Sequence, residues 1–165
     1  METVPDFVEF DRGIRGESTI ANAFGTPLFV YDSARIQSNY DELHALCGRQ
    51  AEIFFSLKAN PNVSVAAQLR LLGAGAEVSS LTELQTALAA GFSANDIIFV
   101  GPYKTDIELR AAVNFKIAAI VVDSFQEMSR LGALARELGC RIPVLLRINP
   151  DFKMPEAPIK MSGVA

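Results

Sequence analysis

From Ile53 onward the chain alternates short apolar runs with amphipathic stretches. The runs begin at Ile53 (Ile-Phe-Phe-Ser-Leu-Lys-Ala), Ala76, Ile97, Ala118 and Pro143, at intervals of roughly 20–25 residues, the pitch of a repeated supersecondary unit. Each gap carries a helical pattern: Val63–Leu72, Ser80–Ala90, Thr105–Phe115 and Ser124–Leu138. Ser80 with Glu83, and Ser124 with Glu127, have the spacing of a capping box. Gly73, Gly91 and Gly139 stand where those helices should stop. Upstream, Gly25-Thr26-Pro27 predicts a turn and Leu28–Asp32 a short β-rich run. Ser33 can cap a helix to about Leu46, with Ile36, Tyr40, Leu43 and Leu46 on one face. Residues 1–27 mix charge, glycine and small side chains with weak periodicity.

Strands alternating with helices at this pitch predict βαβ units and a parallel sheet. Nearly continuous apolar strands are expected where helices cover the sheet. A leucine-rich solenoid repeats at a similar pitch, but no L-x-x-L-x-L recurs. No G-x-G-x-x-G follows the first strand, so the dinucleotide fingerprint is missing. Polar residues gather at the strand C-termini: Lys58-Ala59-Asn60, Glu77 to Ser80, Gly101-Pro102, Asp123-Ser124 and Arg147-Ile148-Asn149-Pro150. Barrel enzymes keep their chemistry at that end. A complete (β/α)₈ barrel takes about 250 residues, so five βα units predict an α/β fold that is a partial TIM-type barrel. Its first and fifth strands would have unpaired edges.

Composition narrows the function classes. A chain of 165 residues, 50% hydrophobic and 21% charged, is one globular domain rather than a disordered segment. A net charge of −4 and a pI near 5.0 argue against nucleic acid and anionic membrane as partners. Apolar runs such as Ile117–Val122 are too short to span a bilayer. The start Met-Glu-Thr-Val-Pro-Asp lacks a basic and then apolar leader, which predicts no signal peptide. Cys47 and Cys140, far apart and outside any CxxC, are expected as free thiols and small packing residues in a reducing cytoplasm. With His44 as the lone histidine, a His-rich metal site is excluded, and no metal ligands are assigned. His44 itself is expected on a helix, away from the strand ends.

Lys58 is the most informative position. It follows Ile53–Leu57 and should sit at the mouth of a buried strand. Partial desolvation there would make its amine nucleophilic, which suits a Schiff base. Snorkelling into water is the plainer alternative. Arg147 lies within the last apolar run, where a guanidinium wants an anionic or aromatic partner, or an ion pair with Glu77. Glu77 is expected to face the barrel mouth, Glu83 to serve as a capping acid, and Asp123-Ser124 to cap the following helix. Tyr103-Lys104 could reach a ligand, but a solvated loop is the expectation.

These segments together resemble a known family. Gly25-Thr26-Pro27-Leu28-Phe29-Val30-Tyr31-Asp32, Phe55-Ser56-Leu57-Lys58-Ala59-Asn60 and Glu77-Val78-Ser79-Ser80-Leu81-Thr82-Glu83-Leu84 occur in order. Ile98-Phe99-Val100-Gly101-Pro102-Tyr103-Lys104 and Leu146-Arg147-Ile148-Asn149-Pro150 follow. The series is similar to the N-terminal barrel portion of the fold-type III pyridoxal-phosphate decarboxylases, the diaminopimelate/ornithine/arginine decarboxylase group with its alanine racemase-like barrel. The segments Ile148–Phe152 and Ile159–Gly163 resemble its biosynthetic-cluster branch, which includes enzymes acting on carrier-bound glutamate.

The resemblance implies pyridoxal 5′-phosphate as cofactor, Lys58 as the lysine that condenses with it, Glu77 and Arg147 as cofactor contacts, and Glu83 as a further acid near the site. It implies a small amino-acid substrate, free or carrier-bound, a homodimer at full length and a cytoplasmic location. Residues 1–27 would associate with a C-terminal β domain, and residues 28–165 would form an incomplete cofactor-binding barrel. The resemblance places the family's ring-stacking histidine, glycine-rich phosphate loop and pyridinium-binding glutamate beyond Ala165. The chain alone is therefore expected to be inactive and a weak cofactor binder. Two other readings stand beside this one: a non-catalytic cofactor-binding or decoy partner of a full-length enzyme, and a fold-type III racemase. Glu77–Leu84 favours the decarboxylase over the racemase.

Overall fold

The computed structural model describes residues 14–148, which divide into two compact units at Asp32–Ser33. The first contains helix α1 (Ile14–Phe24), in a stretch whose weak periodicity predicts none. No strand forms at Leu28–Asp32, contrary to its β-rich composition. Phe29 is 91% exposed there. β-propensity stabilises a strand only when a neighbouring strand takes its hydrogen bonds.

The second unit opens with α2 (Ser33–Cys47) and continues as β1 (Phe54–Ser56), α3 (Val63–Leu71), β2 (Gly75–Val78) and α4 (Leu81–Ala89). It then runs through β3 (Ile97–Phe99), α5 (Asp106–Phe115), β4 (Ala119–Val122), α6 (Phe125–Leu138) and β5 (Val144–Leu146). All strand pairs are parallel, in the order β1-β2-β3-β4-β5. That order decides between the two common parallel architectures. A doubly wound sheet reverses direction at a switch point. A sheet that adds each strand beside the last, with right-handed crossovers, keeps its helices on one face and curls toward a barrel.

Register and burial agree on which face the helices cover. Val78, Phe99 and Ile120 lie side by side and are 0–1% exposed, with Leu57, Ala76 and Ile97 buried on the same face. They pack against Ala66, Leu84, Ala87, Leu109, Ala112, Leu131 and Leu134 of the helices. Residues alternate across a strand, so Ser56, Glu77, Ile98 and Val121 point to the opposite face. The outer strands β1 and β5 are less covered: Leu145 is 50% and Leu146 63% exposed.

The helices start where the sequence places them. Ser80 Oγ accepts from Glu83 N–H, and Ser124 Oγ from Glu127 N–H. The two predicted capping boxes close differently, because each glutamate reaches one residue further back, to Ser79 N–H and Asp123 N–H. A reciprocal box forms instead at Thr105 and Glu108. Glu108 also accepts from Leu81 N–H, which ties the first turn of α5 to the start of α4. Helices α3, α4 and α6 are followed by Gly73, Gly91 and Gly139, all with positive φ.

Burial would push the Glu108 carboxyl upward. The hydrogen bonds from Thr105 N–H and Oγ and from Leu81 N–H, with the Lys104 charge, outweigh it and hold the group below its ordinary 4.5. A carboxyl depressed by folding contributes stability above its unfolded pKa and loses it as pH falls through the folded value. Glu108→Ala should therefore cost ~1 kcal/mol at neutral pH, as caps do. In urea unfolding the difference from wild type should shrink below about pH 4, in the ordinary carboxyl range. A cost that does not change with pH would remove the charge from this account.

Candidate functional site

Lys58, Glu77 and Arg147 sit on the strand C-terminal ends and the turns that follow, and Glu83 lies in the first turn of α4. β1 stops at Ser56, and Ala59 N–H donates to Ser56 O, closing a turn that contains Lys58. Leu57 N–H still bonds Glu77 O, so its side chain enters the core while Lys58 is exposed. Of the two placements open to Lys58, the structure shows the one that faces solvent. The predicted apolar run is cut short by this turn.

Glu77 lies beside Ser56 in the β1–β2 register, half-buried, and accepts from Ser56 Oγ at 3.0 Å. Among the described residues no hydrogen bond or ion pair joins Glu77 to Lys58 or Arg147. Glu83 is absorbed locally by Ser79, taking its N–H at 2.8 Å and its hydroxyl at 3.0 Å. Arg147 follows β5 and is 45% exposed, rather than buried as its apolar neighbours suggest. Its ion-pair partner is Asp123, at 3.4 Å, and not Glu77. The reason is topological: two strands, β3 and β4, separate the Glu77 end of β2 from the β5 end, whereas β4 lies directly beside β5. Asp123 is thus a charge partner, and Ser124 alone is the cap.

Lys104 departs furthest from expectation. It is 3% exposed, while its neighbour Tyr103 is 98% exposed. Lys104 Nζ donates to Gly101 O and Val121 O, each at 2.6 Å, and to Glu127 Oε1 at 3.1 Å, with Asp123 Oδ2 at 3.3 Å. Cys140 is exposed, so it is not a packing residue. His44 lies on α2, stacked on Tyr40 with ring centroids 6.0 Å apart.

Two clefts, of about 470 and 490 Å³, open at the other end of the sheet. Their walls include Ala118 and Pro143 in one and Ile53 and Gly75 in the other, and neither contains Lys58, Glu77 or Arg147. The strand-end constellation lies outside both clefts. It offers a primary amine, a carboxylate fixed by a serine, and a half-exposed guanidinium.

Residues 33–164 match the family described as pyridoxal-dependent decarboxylase, pyridoxal binding domain. The chain belongs to this family. Its cofactor is pyridoxal 5′-phosphate. Diaminopimelate decarboxylase of Vibrio cholerae is 36% identical over 88% of this chain and 35% of its own length. The L-glutamyl-[BtrI acyl-carrier protein] decarboxylase of Niallia circulans is 38% identical over 89% of this chain and 34% of its own. Among solved structures, diaminopimelate decarboxylase from M. jannaschii superposes with a TM-score of 0.81 at 33% identity, covering 93% of this chain and 38% of that one. The chain spans about a third of the length of the curated relatives it matches. No described helix is long and apolar enough to cross a membrane.

The donor set of this pyridoxal binding domain suits the cofactor's chemistry. An exposed amine can condense with an aldehyde, and an under-used guanidinium can hold an anionic oxygen.

Proposed function

We propose that this chain is the N-terminal part of a pyridoxal-phosphate-dependent amino-acid decarboxylase of the diaminopimelate/ornithine type, with a small amino-acid substrate, free or carrier-bound. Lys58 would hold the cofactor covalently, Glu77 and Arg147 would contact it, and Glu83 would act through Ser79. The observation that carries this reading is the placement of Lys58, Glu77 and Arg147 at the C-terminal ends of strands in a singly wound parallel sheet. When bound, the cofactor supplies an electron sink for the pair released as the bond to the substrate carboxylate breaks.

The chain's own contribution is orientation. Ser56 Oγ fixes one oxygen of Glu77. Asp123 tethers Arg147 at the rim while leaving it half open to a ligand. Glu83 holds the loop after β2 through the N–H and hydroxyl of Ser79. The turn at Ser56–Ala59 presents Lys58 to solvent, where an incoming aldehyde can reach it. The homodimer, the cytoplasmic location, and the association of residues 1–27 with a second domain belong to the same proposal.

The test is chemical. The purified chain is incubated with pyridoxal 5′-phosphate, reduced with borohydride and mapped by peptide mass spectrometry. Reduction traps even a weak, exchangeable linkage. Label concentrated on the Lys58 peptide is the expected result. Label spread over Lys58, Lys116, Lys153 and Lys160 alike would remove the assignment.

A further inference from the structure

The reaction proposed above makes no use of the buried Lys104, yet the fold builds a site around it. Gly101 at φ 103° and Tyr103 at φ 66° turn the chain back after β3, sending Tyr103 outward and Lys104 inward. A non-glycine residue in the left-handed region persists only where the surroundings hold it. Lys104 meets two carboxylates of unequal exposure. Glu127 is 5% exposed and also accepts from Asp123 N–H at 2.9 Å. Asp123 is 14% exposed and divides its oxygens, Oδ2 toward Lys104 and Oδ1 toward Arg147. Two negative charges therefore meet one buried cation, and the second cation stands half-exposed at 3.4 Å.

We propose that Lys104 is a positioning residue for Arg147. By neutralising Glu127 and sharing Asp123, the buried ammonium leaves the guanidinium at the rim with most of its five donors available to an anionic oxygen of a ligand above the sheet. Without that ammonium, Arg147 is, among the described residues, the remaining cation paired with Asp123 and so able to compensate the buried pair. Buried carboxylates draw a counter-charge strongly, so the guanidinium moves inward and the rim loses its cation. The anion-binding role of Arg147 rests on the function proposed above; the charge division between the two cations does not.

The test reads Arg147 directly in the cofactor-free chain, through the hydrogen-exchange rate of its Nε–H by NMR. Lys104→Met should slow exchange at least about threefold as the guanidinium engages the carboxylates, and Glu127→Gln should speed it by a similar factor as Lys104 turns fully to Asp123. A purely structural role for Lys104 would loosen Arg147 in both variants. Opposite shifts support the proposal, and shifts of the same sign or none overturn it. Should Lys104→Met fail to fold, Lys104→Gln takes its place: slower exchange at Arg147 supports the proposal, and faster or unchanged exchange overturns it. Titration with pyridoxal 5′-phosphate is the separate arm. A wild-type Arg147 resonance that ignores the cofactor, alongside opposite exchange shifts, upholds the positioning role and removes the cofactor contact.

Discussion

Phe99→Ala is expected to lower stability by about 3–5 kcal/mol, the usual cost of emptying a large aromatic site in a core. Phe99 is 1% exposed and lies in register between Val78 and Ile120 on the helix-covered face. Every neighbour on that face is fixed by strand pairing or helix packing, so collapse into the cavity is limited. With total stabilities of about 5–15 kcal/mol in ordinary domains, this one change removes a large share. The urea midpoint should fall by roughly 1–5 M, given slopes of about 1–3 kcal/mol per molar. The adjacent Ile98 is the control. It points to the opposite face and is only partly buried, so Ile98→Ala should cost well under half as much. Equal losses at the two positions would mean that the helices do not define the core face.

The features that were legible in the sequence are those whose cause is local. Ser80 and Ser124 cap helices because a hydroxyl reaches an N–H three residues on, which needs no distant partner. Gly139 ends α6 because it adopts a left-handed conformation freely. The five-strand alternation was legible because each apolar run is bounded by its own polar punctuation. By contrast, Leu28–Asp32 has strand-like composition and no strand. Pairing is a property of two segments, and composition describes only one.

The same limit governs the charged residues. Lys58 and Lys104 both follow an apolar run; the sequence left desolvation and snorkelling both open for the first and suggested solvent for the second. The structure exposes the first and buries the second. A three-residue turn lifts Lys58 out, while a left-handed Tyr103 drives Lys104 beneath the β4 end, where the carbonyl of Val121, 17 residues away, receives it. The signal that could have found Lys104 is Asp123 together with Glu127 four residues later: two acids at one strand end imply a cation. For Arg147 the choice between Glu77 and Asp123 required strand order, which spacing alone does not supply.

Lys58→Ala is expected to remove the borohydride-fixed cofactor label, by at least about tenfold, because among the described residues no other group at the strand ends has an exposed primary amine to condense with an aldehyde. Lys104 cannot substitute, since it is buried and its donors are engaged by Gly101, Val121 and Glu127. Lys116 is exposed but lies at the end of α5, on the wall of the 470 Å³ cleft at the other end of the sheet. Residual label there measures non-specific reaction. The loss at Lys58 cannot be ascribed to unfolding, because an exposed turn residue with no ion pair among the described residues changes stability by only about 0.5 kcal/mol. Urea unfolding of Lys58→Ala should therefore match wild type while its labelled peptide disappears. Arg147→Ala provides the graded comparison: the amine remains, the rim cation is gone, and half-saturation with cofactor should move to higher concentration while the labelled position stays the same. If Lys58→Ala is labelled as well as wild type, the amine in the β1 turn is not the group that receives the cofactor, and the strand-end reading loses its covalent anchor.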